Sequence, residues 1–173
     1  RTSCGNSRSG VVPTIDGIIA VSETDAADRG MLGVLRNAAL LRAQAELICT
    51  LDDDFLLMPN WYDVLAARGR DFDVLTSDVR LPDGGRYWGH ATIGGPRGHR
   101  LLRPDQTSDH AYMSGGCAWI MTDKVARTVP WRTDLGFYEA EDVAFARAVQ
   151  ARGFTIRHDP ELVVFHDDPS YTQ

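Results

Sequence analysis

The chain has 173 residues, which fits one domain of ordinary size and leaves no room for a second. Hydrophobic residues make up 43% and charged residues 24%, proportions that exclude a disordered, collagen-like or coiled-coil protein. The formal charge of -6 has the opposite sign to that of most proteins that bind phosphate backbones, so nucleic acid is not favoured as a partner.

The sequence contains no apolar window long enough for a transmembrane segment, and its first residues lack the basic and apolar regions of a secretory signal. Cys4, Cys49 and Cys117 are widely spaced and odd in number, a pattern that predicts reduced thiols and neither a disulfide framework nor a zinc site. We therefore expect a cytoplasmic location.

Strands and helices alternate along the first half of the chain. A β-branched run at 17–22 predicts a buried strand, and apolar residues at three- and four-residue spacing predict a helix over 31–46. The nearly all-apolar run at 47–51 is typical of a strand buried on both faces of a parallel sheet. A short helix is expected at 59–67 and another strand at 73–77.

The second half begins with a change of character. Residues 81–110 are rich in Gly and Pro and have no sustained periodicity, which predicts a long loop or an irregular hairpin. The elements expected after it are a strand at 117–121, a helix from about Asp123, a helix at 143–152 ended by Gly153, and strands at 154–156 and 162–165. This alternation predicts a single α/β sandwich, residues 1–173, around a mostly parallel central sheet.

Three adjacent carboxylates, Asp52, Asp53 and Asp54, follow the predicted strand at 47–51. Open α/β sheets bind ligands beyond the carboxyl ends of their strands, and three adjacent Asp ionise there at low cost only if a cation joins them. Alternation places Asp52 and Asp54 on one side, so the pair can approach a metal ion and a nucleotide diphosphate together. The alternative is a solvated turn in which Asp caps a helix.

A second group of acids, Glu139, Glu141 and Asp142, lies at the start of the helix predicted at 143–152. A carboxylate that faces the same strand ends is placed to take a proton from an acceptor hydroxyl, which makes Asp142 the candidate general base. A helix cap is the competing interpretation. Beyond the last strand, His166 is either a polar surface residue or a candidate ligand for a cation such as Mn²⁺.

These motifs, in this order, resemble those of GT-A glycosyltransferases, in particular the large inverting group often called family 2. The matching segments are R-N-A-A-L-L-R-A-Q-A-E-L-I-C-T-L-D-D-D at 36–54, M-P-N-W at 58–61, S-G-G-C-A-W-I-M at 114–121, Y-E-A-E-D-V-A-F-A-R-A-V-Q-A-R-G-F at 138–154 and L-V-V-F-H at 162–166. The resemblance implies a GT-A fold that transfers a hexosyl or related sugar from a nucleoside-diphosphate sugar to a hydroxyl-bearing acceptor. Mn²⁺ or Mg²⁺ would assist, and inversion is the expected outcome, although the motifs do not fix the stereochemistry.

The resemblance also implies roles for individual residues. Asp52 would contact the nucleotide ribose or the metal, and Asp54 and His166 would bind the metal. Asp142, with Glu141 beside it, would supply the general base. Arg36 and Asp53 are expected to contact the nucleotide donor.

The acceptor is expected on another part of the chain. Residues 81–112 carry flat and cationic side chains suited to stacking on a sugar or holding an anionic acceptor, with Trp88 and Arg97 as the main candidates. A solvated flap is the alternative. In the family a Gly-Gly segment precedes the acceptor region, which adds Gly115, Gly116 and Trp119.

The match fails at the amino end, where the family has a strand, a helix and a second strand whose terminal Asp helps to hold the nucleotide base. Here no helix fits between residues 11–14 and the strand at 17–22, so the first strand and helix are missing or remodelled. Base recognition stays unassigned, with Ser22 and Glu23 as weak candidates. Other functions compatible with the sequence are a non-catalytic nucleotide- or sugar-binding domain, a nucleotidyltransferase and, less well, an aspartyl phosphotransferase.

Overall fold

A computed structural model describes residues 24–85, 87, 91–93, 100–101, 103, 111–113, 118–136 and 139–167. In these ranges the elements are α1 (Thr24–Asp28), α2 (Leu32–Arg42), β1 (Leu47–Leu51), β2 (Phe55–Leu57), α3 (Trp61–Ala67), β3 (Val74–Arg80), β4 (Ala91–Ile93), β5 (Arg100–Leu101), β6 (Ala111–Met113), β7 (Ala118–Thr122), α4 (Asp123–Thr128), α5 (Glu141–Ala151) and β8 (Ile156–His166). The strand predicted at 17–22 lies outside the described residues.

The main sheet is mixed, so the prediction of a mostly parallel sheet is wrong. Among the described residues it has five strands in the order β1-β7-β3-β8-β2, of which only β3 and β8 pair in parallel. The pairs β1–β7, β3–β7 and β2–β8 are antiparallel. An apolar run indicates that a strand is buried on both faces but not which way it runs, and β7 is such a run, buried between β1 and β3.

The direction of the strands decides where the chain can bind a ligand. Strands β1, β3 and β8 all run the same way, because β7 reverses between β1 and β3. Their carboxyl ends therefore meet at one edge of the sheet, where open α/β sheets bind ligands. Asp52 follows β1 at this edge, and His166 ends β8 there.

Three aromatic side chains form the centre of the core on one side of the sheet. Trp131 stacks on Phe145 of α5 with ring centroids 4.0 Å apart, and Trp119 of β7 meets both rings edge-on. None of the three is more than 1% exposed. Their packing fixes α5 against the sheet.

The segment predicted as a long loop or an irregular hairpin contains short antiparallel strands in its described parts. Strands β4, β5 and β6 form a second sheet of three antiparallel strands in the order β5-β4-β6. β6 packs against α5 and β8, so this sheet lies beside the main one. The strands are too short to give a recognisable alternation in the sequence.

Two elements have boundaries that differ from the predicted ones, because contacts with residues distant in sequence determine where they end. Helix α2 ends at Arg42 and not at residue 46, because Ala43 is extended and Arg127 donates to the carbonyls of Leu40 and Ala43. The predicted strands at 154–156 and 162–165 are one strand, β8, in which the pairing with β3 is interrupted near Pro160.

Among the described residues, no helix has the length and apolar character needed to cross a membrane.

Helix α2 is held close to the chain that follows α4, and Gly33 makes this approach possible. A Cβ at Gly33 would lie 1.9 Å from the backbone oxygen of Arg132. Gly33→Ala is therefore expected to lower the free energy of unfolding by about 1–3 kcal/mol, measured by urea denaturation, since two backbones must move apart. Gly136→Ala is the control, because its Cβ would meet nothing closer than 3.6 Å. Equal midpoints for the two variants would contradict the tight contact.

Candidate functional site

Asp54 and His166 lie side by side because of the strand pairing between β2 and β8. The chain turns directly after β1, and β2 then runs back along β8 with Phe55 opposite His166. The backbone N–H of Asp167 donates to the carbonyl of Asp54 at 2.8 Å, which fixes the turn against the end of β8. The imidazole Nε2 of His166 lies 3.3 Å from Oδ2 of Asp54.

The carboxyl group of Asp54 is in an unfavourable environment for a negative charge. Partial burial raises its pKa above the ordinary value, His166 opposes this shift, and the neighbouring Asp52 and Asp53 add to it. Its Oδ1 atom is buried and has no hydrogen-bond partner among the described residues. A bound cation would stabilise this oxygen, because it would offset the repulsion from Asp52 and Asp53 and would coordinate the buried oxygen in place of a hydrogen bond.

The imidazole of His166 is enclosed by two aromatic rings. Tyr87 stacks on its face with centroids 4.3 Å apart and an interplanar angle of 14°, and Phe55 lies edge-on at 5.4 Å. His166 is 6% exposed. The surroundings therefore restrict the rotation of the ring.

Arg36 connects the acids after β1 with those at the start of α5. Its guanidinium donates to Oδ1 of Asp52 at 3.2 Å and to Oε1 of Glu141 at 3.1 Å. It also lies over the ring of Trp131, 4.4 Å from the centroid. A planar guanidinium is suited to this combination of two carboxylates and an aromatic face.

Asn37, the next residue, fixes the same region through the backbone. Its side-chain Nδ2 donates to the carbonyl of Trp131, and its Oδ1 accepts from the backbone N–H of Trp131, both at 2.9 Å. The Arg-Asn pair thus attaches α2 to residue 131 by one side chain and to the acids by the other. No role was expected for Asn37, although its position beside Arg36 in the sequence is a usable signal.

Asp142 is a buried carboxyl group in the first turn of α5. It is 5% exposed, and burial raises its pKa to about 6, with Glu141 adding to the shift and Arg36 opposing it. The N-cap of α5 is Ala140, which has a φ of 57°, so Asp142 is not the N-cap residue. Its Oδ1 accepts from the N–H of Val143 at 2.6 Å.

Other residues predicted for the site are placed differently or not described. Asp53 is exposed beside the half-buried Asp52 and Asp54. Trp119 is fully buried in the aromatic core, where it meets the rings of Trp131 and Phe145 edge-on, so its side chain is not exposed to a ligand in this structure, and its contact with an acceptor stays a prediction. The predicted residues outside the described part of the chain are Ser22, Glu23, Trp88, Arg97, Gly115 and Gly116.

The side chains that are predicted to bind a metal ion are only partly brought together. Asp54 and His166 contact each other, while Asp52 is engaged with Arg36. In the ranges that the structure describes, no group of three or more His, Cys, Asp or Glu side chains converges in a way that could hold a metal ion. The protein would thus supply two ligands directly, which suits a cation that takes the rest from water and phosphate oxygens.

The bridge made by Arg36 is expected to contribute to stability. Arg36→Met keeps the length of the side chain but leaves two partly buried carboxylates without their shared partner, so we expect the free energy of unfolding to fall by about 1–3 kcal/mol. Chemical denaturation at about pH 7 measures this change in the free energy of unfolding. Combining Arg36→Met with Glu141→Gln should cost less than the sum of the two single changes. Strictly additive effects would contradict a direct interaction between Arg36 and Glu141.

The fold described above is similar to that of GT-A glycosyltransferases. A solved structure that it matches is the crystal structure of GalNAc-T7 with UDP, GalNAc and Mn²⁺, with a TM-score of 0.61 and 15% sequence identity. The match covers 80% of this chain and 30% of that chain, so the protein spans less than a third of the length of its structural neighbour. Identity at this level shows a shared fold alone. Comparison of the sequence with protein-family models and with curated proteins gives no match.

Proposed function

We propose that the protein is a glycosyltransferase that transfers a sugar from a nucleoside-diphosphate sugar to a hydroxyl acceptor, with a divalent cation and with inversion. One observation carries the proposal. Acids and a histidine from distant parts of the sequence meet at one edge of the sheet, through the contacts of Arg36 with Asp52 and Glu141 and of His166 with Asp54. This edge is where open α/β sheets bind ligands.

The donor side of the site would be formed by the acids after β1. Asp54 and His166 would hold Mn²⁺ or Mg²⁺. This fits the carboxylate–imidazole donor pair and the buried Oδ1 of Asp54, which has no hydrogen-bond partner in the described part of the chain. A bound cation would neutralise the charge on the departing diphosphate. Asp52, half-buried and oriented by Arg36, would contact the ribose or the cation, and the exposed Asp53 would face the nucleotide. The UDP and Mn²⁺ bound to GalNAc-T7 support a donor of this class.

The acceptor would be activated by Asp142. As the acceptor oxygen bonds to the anomeric carbon and the bond from that carbon to the diphosphate breaks, the hydroxyl proton would pass to the carboxylate of Asp142. A pKa of about 6 suits this role, because the group is largely ionised at neutral pH and still basic enough to take the proton. Glu141 is held by Arg36, which leaves it a supporting role.

The acceptor itself would be bound by residues 81–112, with Trp88 and Arg97 contacting it and Gly115 and Gly116 forming part of the same wall. The described parts support this location, because β6 packs against α5, the helix that carries Asp142. The whole chain, residues 1–173, would act as one catalytic domain.

Incubation of the protein with a panel of nucleoside-diphosphate sugars tests the proposal. We expect release of a nucleoside diphosphate with Mn²⁺ or Mg²⁺, no release with EDTA, and release slowed by at least about 10²-fold with Asp142→Asn. Binding of a nucleotide sugar without release would identify a non-catalytic binding domain. Release of pyrophosphate from a nucleoside triphosphate and a sugar phosphate would instead identify a nucleotidyltransferase.

A further inference from the structure

Tyr87 belongs to the segment 81–112, and its ring stacks on the imidazole of His166. We infer that Tyr87 is a positioning residue that holds the imidazole of His166 toward Asp54, so that cation affinity depends on this stacking contact. The inference rests on the proposed function, since it concerns the cation that Asp54 and His166 would bind. It assigns Tyr87 a role other than the stacking on a sugar that aromatic residues of this segment were expected to have.

The backbone fixes Tyr87 at this place. After β3 the chain reverses through a tight turn, in which Leu81 donates to Gly85 at 2.7 Å and Gly84 has a φ of 82°. The N–H of Tyr87 then donates to the carbonyl of Val79 at 3.2 Å. Because Val79 pairs with Val164, two residues before His166 on β8, this bond holds the tyrosine ring next to His166.

The stacking contact controls the orientation of the imidazole. A histidine ring turns about its last side-chain bond with few intrinsic preferences, so its neighbours decide where Nε2 points. Tyr87 covers the face of the ring at an angle of 14°, and Phe55 meets it edge-on. Together they hold the ring in the plane that brings Nε2 to 3.3 Å from the carboxylate of Asp54. Groups that orient a ligand in this way change metal affinity by about 10- to 100-fold.

Metal binding to Tyr87→Leu and Tyr87→Phe separates positioning from core packing. We expect Tyr87→Phe, which keeps the flat ring, to bind Mn²⁺ within about threefold of the wild-type affinity, and Tyr87→Leu to bind it about 10- to 100-fold more weakly. Electron paramagnetic resonance of free Mn²⁺ measures the Mn²⁺ affinity of both variants. Phe72→Leu is the matched control, because Phe72 is 8% exposed at the opposite end of β3, where its loss would affect packing alone.

A second measurement needs no metal. The ring protons of His166 should be shifted upfield by the stacked tyrosine in the metal-free protein, and this shift should disappear in Tyr87→Leu and persist in Phe72→Leu. Wild-type affinity for Mn²⁺ in Tyr87→Leu, together with loss of binding in His166→Ala, would overturn the role of Tyr87 alone. Absence of Mn²⁺ binding by the wild-type protein would overturn the metal site and this inference together.

Discussion

Asp142→Asn is expected to lower the rate of sugar transfer by about 10² to 10⁴ while leaving donor binding intact. Asn keeps the size of Asp142 and can still accept the hydrogen bond from Val143, but it cannot take a proton. Product formation under saturating donor measures the loss, and calorimetry of donor binding is the control. Turnover near the wild-type rate would assign the base elsewhere, with Glu141 and Glu139 next to be tested.

Because the pKa of Asp142 is raised, both the rate of sugar transfer and the stability of the fold should depend on pH in a direction that can be stated. Its base form is ionised, so the wild-type rate should rise with pH through about 6 and then level off.

The protonated carboxyl group of Asp142 should also stabilise the fold. This contribution is complete below the ordinary value of 3.8 and is lost as the pH rises through about 6. Asp142→Asn should therefore be the more stable protein at about pH 8, by up to about 3 kcal/mol, and should show no such gain at about pH 3.

Asp54→Asn is expected to remove cation-dependent transfer almost completely, by about 10³-fold, because the amide lacks the charge that a hard cation requires. Initial rates across a series of Mn²⁺ concentrations measure the effect. Asp53→Asn is the matched control, since Asp53 is exposed and adjacent, and its replacement should change the rate far less. A rate in Asp54→Asn that still rises with Mn²⁺ as in the wild type would place the cation elsewhere.

The loss of activity in Asp54→Asn should be accompanied by a gain in stability. The pKa of Asp54 is raised mainly by burial, so its protonated form favours the fold and its ionised form opposes it. In the absence of metal, the denaturation midpoint of the variant should exceed that of the wild type at about pH 7. The difference should vanish at about pH 3. Residues of functional sites often lower the stability of the fold in this way.

The residues of the site could be predicted from the sequence better than their arrangement. The apolar run of β1 ending at Asp52 is a strong local signal, and the helix with Asp142 in its first turn follows from its periodicity. Arg36 was expected beside the nucleotide, but its bridge between Asp52 and Glu141 could not be predicted, because Arg36 and Glu141 are 105 positions apart.

The arrangement depends on features that leave weak traces in the sequence. Strand β2 has three residues without alternation, yet it is the strand that brings Asp54 to His166. The hydrophobic pattern of β7 indicated burial and not its reversed direction. Tyr87 lies in a Gly-rich segment that gave no signal of a contact with β8, and Trp119 is equally compatible, by residue type, with a core and with a binding surface.

The central claim is that a cation bound by Asp54 and His166 holds the nucleotide. It is tested by calorimetric titration of UDP, GDP, ADP, CDP and dTDP into the wild-type protein and into Asp54→Asn, each with Mn²⁺ and with EDTA. We expect at least one of these nucleotides to bind the wild-type protein with Mn²⁺, and to bind at least about tenfold more weakly with EDTA or to Asp54→Asn. Equal affinity in Mn²⁺ and EDTA, or in the wild type and Asp54→Asn, would contradict it.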